Sequence, residues 1–260
     1  MAEIVIVPDR AAAGALVAEE IAALVARRPD AVLGLATGST PLPVYEALRA
    51  RLSGADVSQV RGFALDEYVG LPAEHHESYA SVIAREVVEP LGLDPQRIQT
   101  PPAHDDDLEG AGARYEAAIR EAGGIDVQIL GIGTDGHIGF NEPGSSFASR
   151  TRVKTLTAQT REDNARFFDS IDEVPRHCLT QGLGTILAAR RVVLVATGAA
   201  TAQAVAPLVE ASVSAPWPGT VLPPHPVAAA FVAEAPASHP PLAHYSRDPH
   251  TPGVNNDQYG

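Results

Sequence analysis

Six short apolar runs set the architecture of this chain: "EIVIV" (3–7), "AVLGLA" (31–36), "RGFAL" (61–65), "DVQILGI" (126–132), "RVVLVAT" (191–197) and "VAAAFVA" (227–233). Their apolar residues are mostly continuous rather than alternating. That pattern marks strands covered on both faces, as in a parallel sheet. Between them lie segments with helical periodicity. In 10–28, Val17, Ile21, Leu24 and Val25 fall on one face, and 41–52, 77–89, 107–122, 179–190 and 200–211 also read as helices. Strand alternating with helix predicts an α/β fold: an open, mostly parallel, Rossmann-like sheet with helices on both faces. The 260 residues can bury a sizeable core. With no internal repeat and no clear linker, one domain is expected over 1–260. Two regions break the rhythm. Residues 145–178 form a polar connection after a strand, where lids and binding loops are often found. The tail from about 235 is rich in Pro, His and Asn and is expected to be poorly ordered at its end.

Charge and cysteine content narrow the partners. The formal net charge is -13, which argues against nucleic acid and anionic membranes. An anionic small molecule stays possible, because a pocket can be locally positive. Cys178 stands alone, so no intrachain disulfide can form, which suits a reducing compartment. The opening "MAEIVIVPDR" has too short an apolar run for a secretory leader, and no run approaches the length of a membrane span. A soluble cytoplasmic protein is expected.

Three stretches carry chemistry. "ATGSTP" (36–41) sits between a strand and a helix. Thr40 could cap that helix and Pro41 suits its first turn. Gly38 allows a sharp turn, and free N–H groups at a helix start attract phosphate. A plain strand-to-helix turn is the alternative, since the stretch is neither a Walker A loop nor GxGxxG. "LDEYVG" (65–70) puts Asp66 and Glu67 at a strand's C-terminal end, the ligand-binding edge of an open α/β sheet. Adjacent carboxylates point different ways, so at most one belongs to a site, and Asp66 is nearer the strand; a solvated acidic turn is the alternative. "GIGTDGHIGFNEPG" (131–144) follows another strand and places His137 between Asp135 and Glu142. A histidine flanked by carboxylates is the usual arrangement of an oriented general acid–base, against which stands a structural histidine. "EHHES" (74–78) has no HExxH or Cys partner, so no metal is expected. His225, His239, His244 and His250 lie in Pro-rich segments and read as solvated, and "RTRVK" (150–154) reads as a solvated face or a second anion site.

Together these stretches resemble the glucosamine-6-phosphate deaminases, also called glucosamine-6-phosphate isomerases. The likeness covers most of the chain, from "LGLATGSTPLPVYEAL" through "LDEYVGLPAEHHESY", "LGIGTDGHIGFNEPGSSFASRTRVKTLT" and "TREDNARFFD" to "GLGTILAARRVVLVATG". The resemblance implies conversion of glucosamine 6-phosphate and water to fructose 6-phosphate and ammonia, in amino-sugar catabolism, without a cofactor. It implies that Asp66 moves a proton between C2 and C1, that His137 helps open the sugar ring, and that Asp135 and Glu142 orient His137. Gly38, Ser39 and Thr40 would cradle the phosphate, Arg166 would reach it from a mobile lid at about 145–178, and Ser145, Arg152 and Lys154 would match an allosteric site for N-acetylglucosamine 6-phosphate. It also implies self-association into a homo-oligomer. The chain departs from the family at "GAATAQAV", where Thr201 stands in place of a phosphate-binding Lys, and at "WPGTVLPPHP" (217–226). The alternatives are a divergent relative acting on another amino sugar or sugar phosphate, a sugar-phosphate sensor without turnover, and a 6-phosphogluconolactonase, whose "DGH" continues differently.

Overall fold

The computed structural model describes residues 3–198, 201–210 and 212–233; the tail from about 235 lies outside them. Among the described residues the strands are β1 (Glu3–Val7), β2 (Val32–Leu35), β3 (Arg61–Ala64), β4 (Asp66–Val69), β5 (Ile98–Gln99), β6 (Val127–Leu130), β7 (Arg152–Thr155), β8 (His177–Thr180), β9 (Arg191–Ala196) and β10 (Ala228–Ala233). The helices are α1 (Arg10–Arg27), α2 (Leu42–Arg51), α3 (Tyr79–Ile83), α4 (Glu89–Leu91), α5 (Leu108–Glu121), α6 (Ala158–Asn164), α7 (Leu183–Ile186) and α8 (Ala202–Glu210).

All six apolar runs enter one seven-stranded sheet, in the order β1-β10-β9-β6-β2-β3-β5, and every pairing in it is parallel. Burial explains why these runs are unbroken: β2, β6 and β10 are buried along their whole length. Each fully buried Val, Leu or Ile contributes roughly 1.5–3 kcal/mol. Helix α1 begins where Asp9 accepts a hydrogen bond from the Ala12 N–H at 2.8 Å. It buries Ala13, Val17, Ile21 and Val25, spaced by four, against the sheet. Gly14 lets α1 press on α2, since a Cβ there would collide with the backbone of Pro43.

The strand order places the site. From β2 the chain winds outward through β3 to β5. From β6 it winds the other way, through β9 to β10, which lies beside the N-terminal strand β1. The direction of winding therefore reverses between β2 and β6, and in open α/β sheets ligands bind in the crevice beyond the carboxyl ends of the strands at such a point.

Several expectations need correction. Segment 179–190 is not a helix: Leu179 and Thr180 belong to β8, and only Leu183–Ile186 is helical. β8 is the middle strand of a second, antiparallel sheet ordered β4-β8-β7, which the apolar runs did not announce. Pairing on both sides outweighs the local helical preference. The chain crosses from one sheet to the other at Leu65, whose N–H donates to Leu35 O at 3.0 Å while its carbonyl accepts from the Gln181 N–H at 2.8 Å. Segment 77–89 starts at Tyr79, capped by Ser78, and contains a π-helical turn at Ala84–Val88 before α4. Segment 145–178 is not a bare connection: it supplies β7, α6 and the first half of β8. His225 is buried rather than solvated, with Nε2 3.0 Å from Ala189 O, whereas His239, His244 and His250 lie outside the described residues.

Candidate active site

The three chemistry-bearing stretches leave the carboxyl ends of β2, β3 and β6, neighbouring strands at the switch point. After β2, the Tyr45 hydroxyl ties down the turn, donating to Ala36 O at 2.8 Å and accepting from the Ala36 N–H at 3.1 Å. Gly38 has φ +85, a backbone conformation that strains other residues, and open space where a Cβ would stand. Ser39 is exposed and Thr40 half-buried. Thr40 does not cap α2 as expected: the N-cap is Pro41, and no side chain bonds into that end. Thr40 instead packs beside Gly131, where a Cβ would lie 3.6 Å from its own Cβ, so the first and third stretches meet.

Asp66 opens β4, opposite Thr180 of β8. It is 5% exposed, and the Thr180 hydroxyl lies 3.5 Å from its Oδ2. Burial, and then the charge of Glu67, push its carboxyl up; His137, Thr180 and the Phe140 N–H pull it down, and the balance is about 7. That is where a carboxylate can both take and return a proton at neutral pH. Glu67 is turned away and has a structural task. It accepts hydrogen bonds from the N–H groups of Tyr68 (2.8 Å), Tyr79 (2.9 Å) and Ala80 (2.8 Å), holding the start of α3. The two carboxylates thus have different surroundings, and neither is a solvated turn.

His137 stands between its acids. Asp135 Oδ1 is 2.6 Å from Nδ1, and Glu142 Oε2 is 3.9 Å from the same nitrogen. Burial by itself would lower the imidazole, but the Asp135 hydrogen bond and the charges of Asp135, Glu142 and Asp66 outweigh it, so His137 titrates above its ordinary value. Asp135 responds oppositely: despite partial burial, the bond to His137 and its charge hold the carboxyl down at about 2. The glycines make room. A Cβ at Gly133 would collide with the His137 ring, and one at Gly136 with Trp217. Gly139, at φ +55, lets the loop pass within 3.5 Å of Asp66 Oδ2, measured from where its Cβ would stand.

Asp135, His137 and Glu142 are also the group of donors among the described residues that could hold a metal, with ligand atoms within 4.8 Å of one another. The short bond already joining Asp135 to Nδ1 fits a hydrogen-bonded acid–base group. In "EHHES", His75 stacks on Phe168 with ring centroids 6.0 Å apart and His76 pairs with Glu77 at 3.2 Å.

The other expected residues are less clearly gathered. Arg166 is exposed, with its guanidinium 4.8 Å over the Phe167 ring. The Thr201 hydroxyl donates to Gly198 O at 2.9 Å. The Ser145 hydroxyl donates to Glu142 O at 2.7 Å. Arg152 Nη1 donates to Asn141 Oδ1 at 2.9 Å, and Lys154 lies two residues further along β7. The sequence reading misses Thr180, because 179–190 has helical periodicity, and Thr157 and Thr160, which bond to Glu142. The Thr-x-x-Thr spacing at a helix start was the available signal.

A near-neutral buried carboxyl and an acid-flanked histidine at the switch point of an α/β sheet are groups suited to proton transfer on a small ligand. The chain belongs to the family of glucosamine-6-phosphate isomerases and 6-phosphogluconolactonases, which it matches over residues 10–231. It is 60% identical over 248 residues to the glucosamine-6-phosphate deaminase of Streptomyces coelicolor, covering 94% of this chain and 95% of that one. It is 56% identical over 249 residues to the deaminase of Mycolicibacterium smegmatis, with 95% of each chain covered. A solved structure described as a monomeric glucosamine-6-phosphate deaminase superposes with a TM-score of 0.88 at 38% identity, over 91% of this chain and 99% of that one. The 6-phosphogluconolactonase of Leishmania guyanensis, 18% identical with a TM-score of 0.73 over 92% and 98% of the two chains, shares the fold.

Proposed function

We propose that this chain is a glucosamine-6-phosphate deaminase, an enzyme of amino-sugar metabolism that converts glucosamine 6-phosphate and water to fructose 6-phosphate and ammonia. The observation that carries the reading is Asp66, a buried carboxyl raised to about 7 and within the field of His137. Relatives of that activity at 56–60% identity support it.

In this reading His137 takes the proton of the anomeric hydroxyl and returns one to the ring oxygen, opening the sugar. Asp66 removes the proton from C2; the electrons of that bond form the C1–C2 double bond as O1 takes a proton from solvent, which is released again when the iminium is hydrolysed. Asp66 then returns its proton to C1, leaving an iminium at C2. Water adds there, ammonia departs, and the ketone of fructose 6-phosphate remains. Asp135 fixes the imidazole tautomer and Glu142 adds a second negative charge. Gly38, Ser39 and Thr40 cradle the phosphate, with Thr201 beside them and Arg166 reaching in as segment 145–178 closes. Ser145, Arg152 and Lys154 form the effector site in the same reading. The chain works in the cytoplasm, consistent with no described helix being long and apolar enough to cross a membrane, and it self-associates, which analytical ultracentrifugation decides.

The test is to incubate purified protein with glucosamine 6-phosphate over a wide concentration range and measure both products. Equimolar ammonia and fructose 6-phosphate with saturation is expected; no turnover at any concentration refutes the reading.

A further inference from the structure

Glu142 is a carboxylate with two different sides. Its Oε1 faces α6: it accepts from the Thr160 hydroxyl at 2.7 Å, and from the Thr157 N–H and hydroxyl, each at 3.2 Å. Its Oε2 is buried, has no hydrogen-bond partner among the described residues, and lies 3.9 Å from His137 Nδ1. Leaving a buried carboxylate oxygen without a donor is costly. The arrangement makes sense if the charge on that oxygen acts on the imidazole while the other oxygen is pinned.

We infer that Thr160, with Thr157, is a positioning residue: the start of α6 fixes the rotation of Glu142 and so couples the place of segment 145–178 to the protonation of His137. The inference rests on the reading of His137 as the acid–base group. Thr160 is buried and Thr157 is the N-cap of α6, accepting from the Thr160 N–H at 3.1 Å, so the two hydroxyls move only with the helix. The same helix is latched elsewhere: Asn164 donates to the Tyr68 hydroxyl at 3.0 Å, and the Thr134 hydroxyl to Asp163 at 3.2 Å.

The charges facing His137 are Asp135 and Glu142 from its own loop and Asp66 from β4, with Glu67 acting on Asp66. From α6, Arg161 is spent on the carbonyls of Ile171 and Val174. Asp163 is bound to Thr134 and Gln159, and Glu162 is exposed. The hydroxyls, rather than a charge of α6, are therefore the link. When α6 shifts, Oε1 loses its donors, the carboxylate turns, and His137 loses part of the field that raises it.

The test is an NMR titration of the histidine rings in ligand-free wild type, Thr160→Val and Thr160→Ser, with His137→Gln used only for assignment. Thr160→Val keeps the shape and removes the hydroxyl. It should lower the His137 midpoint by about half a pH unit or more and reduce kcat/KM for glucosamine 6-phosphate roughly tenfold, and Thr160→Ser should restore both. An unchanged midpoint in folded Thr160→Val overturns the inference. So does an equal shift in Thr160→Ser, which would make the effect one of packing. If Thr160→Val does not fold, Thr160→Ala is judged by the same criterion. Because the titration needs no substrate, a wild type that turns nothing over refutes the deaminase reading and leaves this result standing.

Discussion

Asp66→Asn should stabilise the protein at alkaline pH while removing most of its activity. Burial is the main cause of the rise of the Asp66 carboxyl from 3.8 to about 7. A raised carboxyl favours the folded state while it is protonated, and that contribution is lost as pH rises towards the folded value. The loss begins near pH 4, where the unfolded chain ionises, and is complete above about pH 7. A shift of this size corresponds to about 4 kcal/mol. Asn carries no charge and escapes that cost. It also has only one acceptor for the Phe140 N–H and the Thr180 hydroxyl that face Asp66, at a cost of about 2 kcal/mol. The variant should therefore gain about 2 kcal/mol at pH 8, or roughly 4–8 °C in Tm for a chain of this size. Near pH 5 the ionisation cost is about equal to the hydrogen-bond loss, and the two proteins should melt together. Thermal melts of both across this range are the assay, read as a difference so that all other titrating groups cancel. Turnover should fall about 100- to 10 000-fold. A difference in Tm that is absent at pH 8, or the same at pH 5, would refute the claim that Asp66 is held protonated by its surroundings.

Other outcomes follow from the same geometry. In wild type, kcat/KM should rise with pH through a midpoint near 7 as Asp66 ionises in the free enzyme; a flat profile between about pH 6 and 8 speaks against Asp66 as the base. Gly133→Ala should displace the His137 ring, which a Cβ there would strike, and lower kcat about 100-fold with little change in Tm; unaltered kcat would mean that the ring's placement is unimportant. Thr201→Lys should lower KM roughly tenfold or more by adding a charged contact to the phosphate, with kcat nearly constant; steady-state kinetics decide, and an unchanged KM would move the phosphate elsewhere.

The sequence carried the sheet well because burial on both faces demands unbroken apolar runs, and each of the six became a strand of the parallel sheet. It carried the loop around His137 for a related reason: glycines that admit a ring and a turn are visible as glycines. What stayed hidden was set by pairing across long separations. β4 and β7 are polar and short, and both are specified by their neighbour β8, more than 20 residues from either. Nothing in the local pattern of "CLTQGLGTIL" distinguishes a strand that receives two partners from the start of a helix. Misreading it hid Thr180, the hydroxyl beside Asp66.

The pair Asp66 and Glu67 shows how such long-range pairing produces chemistry. Both carboxylates are buried, and burial raises both. Glu67 receives three backbone N–H groups, two of them from the start of α3, which stabilise its charge. Asp66 receives weaker help, a hydroxyl at 3.5 Å from β8 and the Phe140 N–H, and it sits next to the Glu67 charge. The alternation of a strand sends one carboxylate to a helix end, where it is satisfied, and its neighbour to the crevice, where it is not. The charge that those N–H groups favour on Glu67 makes ionisation of Asp66 harder, so one acid anchors the fold and the other is left near neutrality as a base. Glu67→Gln separates these effects. It should cost about 1–3 kcal/mol of stability, because its amide would face the Ala80 or Tyr79 N–H, and it should move the midpoint of the kcat/KM profile downward as Asp66 loses a neighbouring charge. If the midpoint stayed fixed while stability fell, Glu67 would be an anchor alone, and the near-neutral titration of Asp66 would have to come from burial by itself.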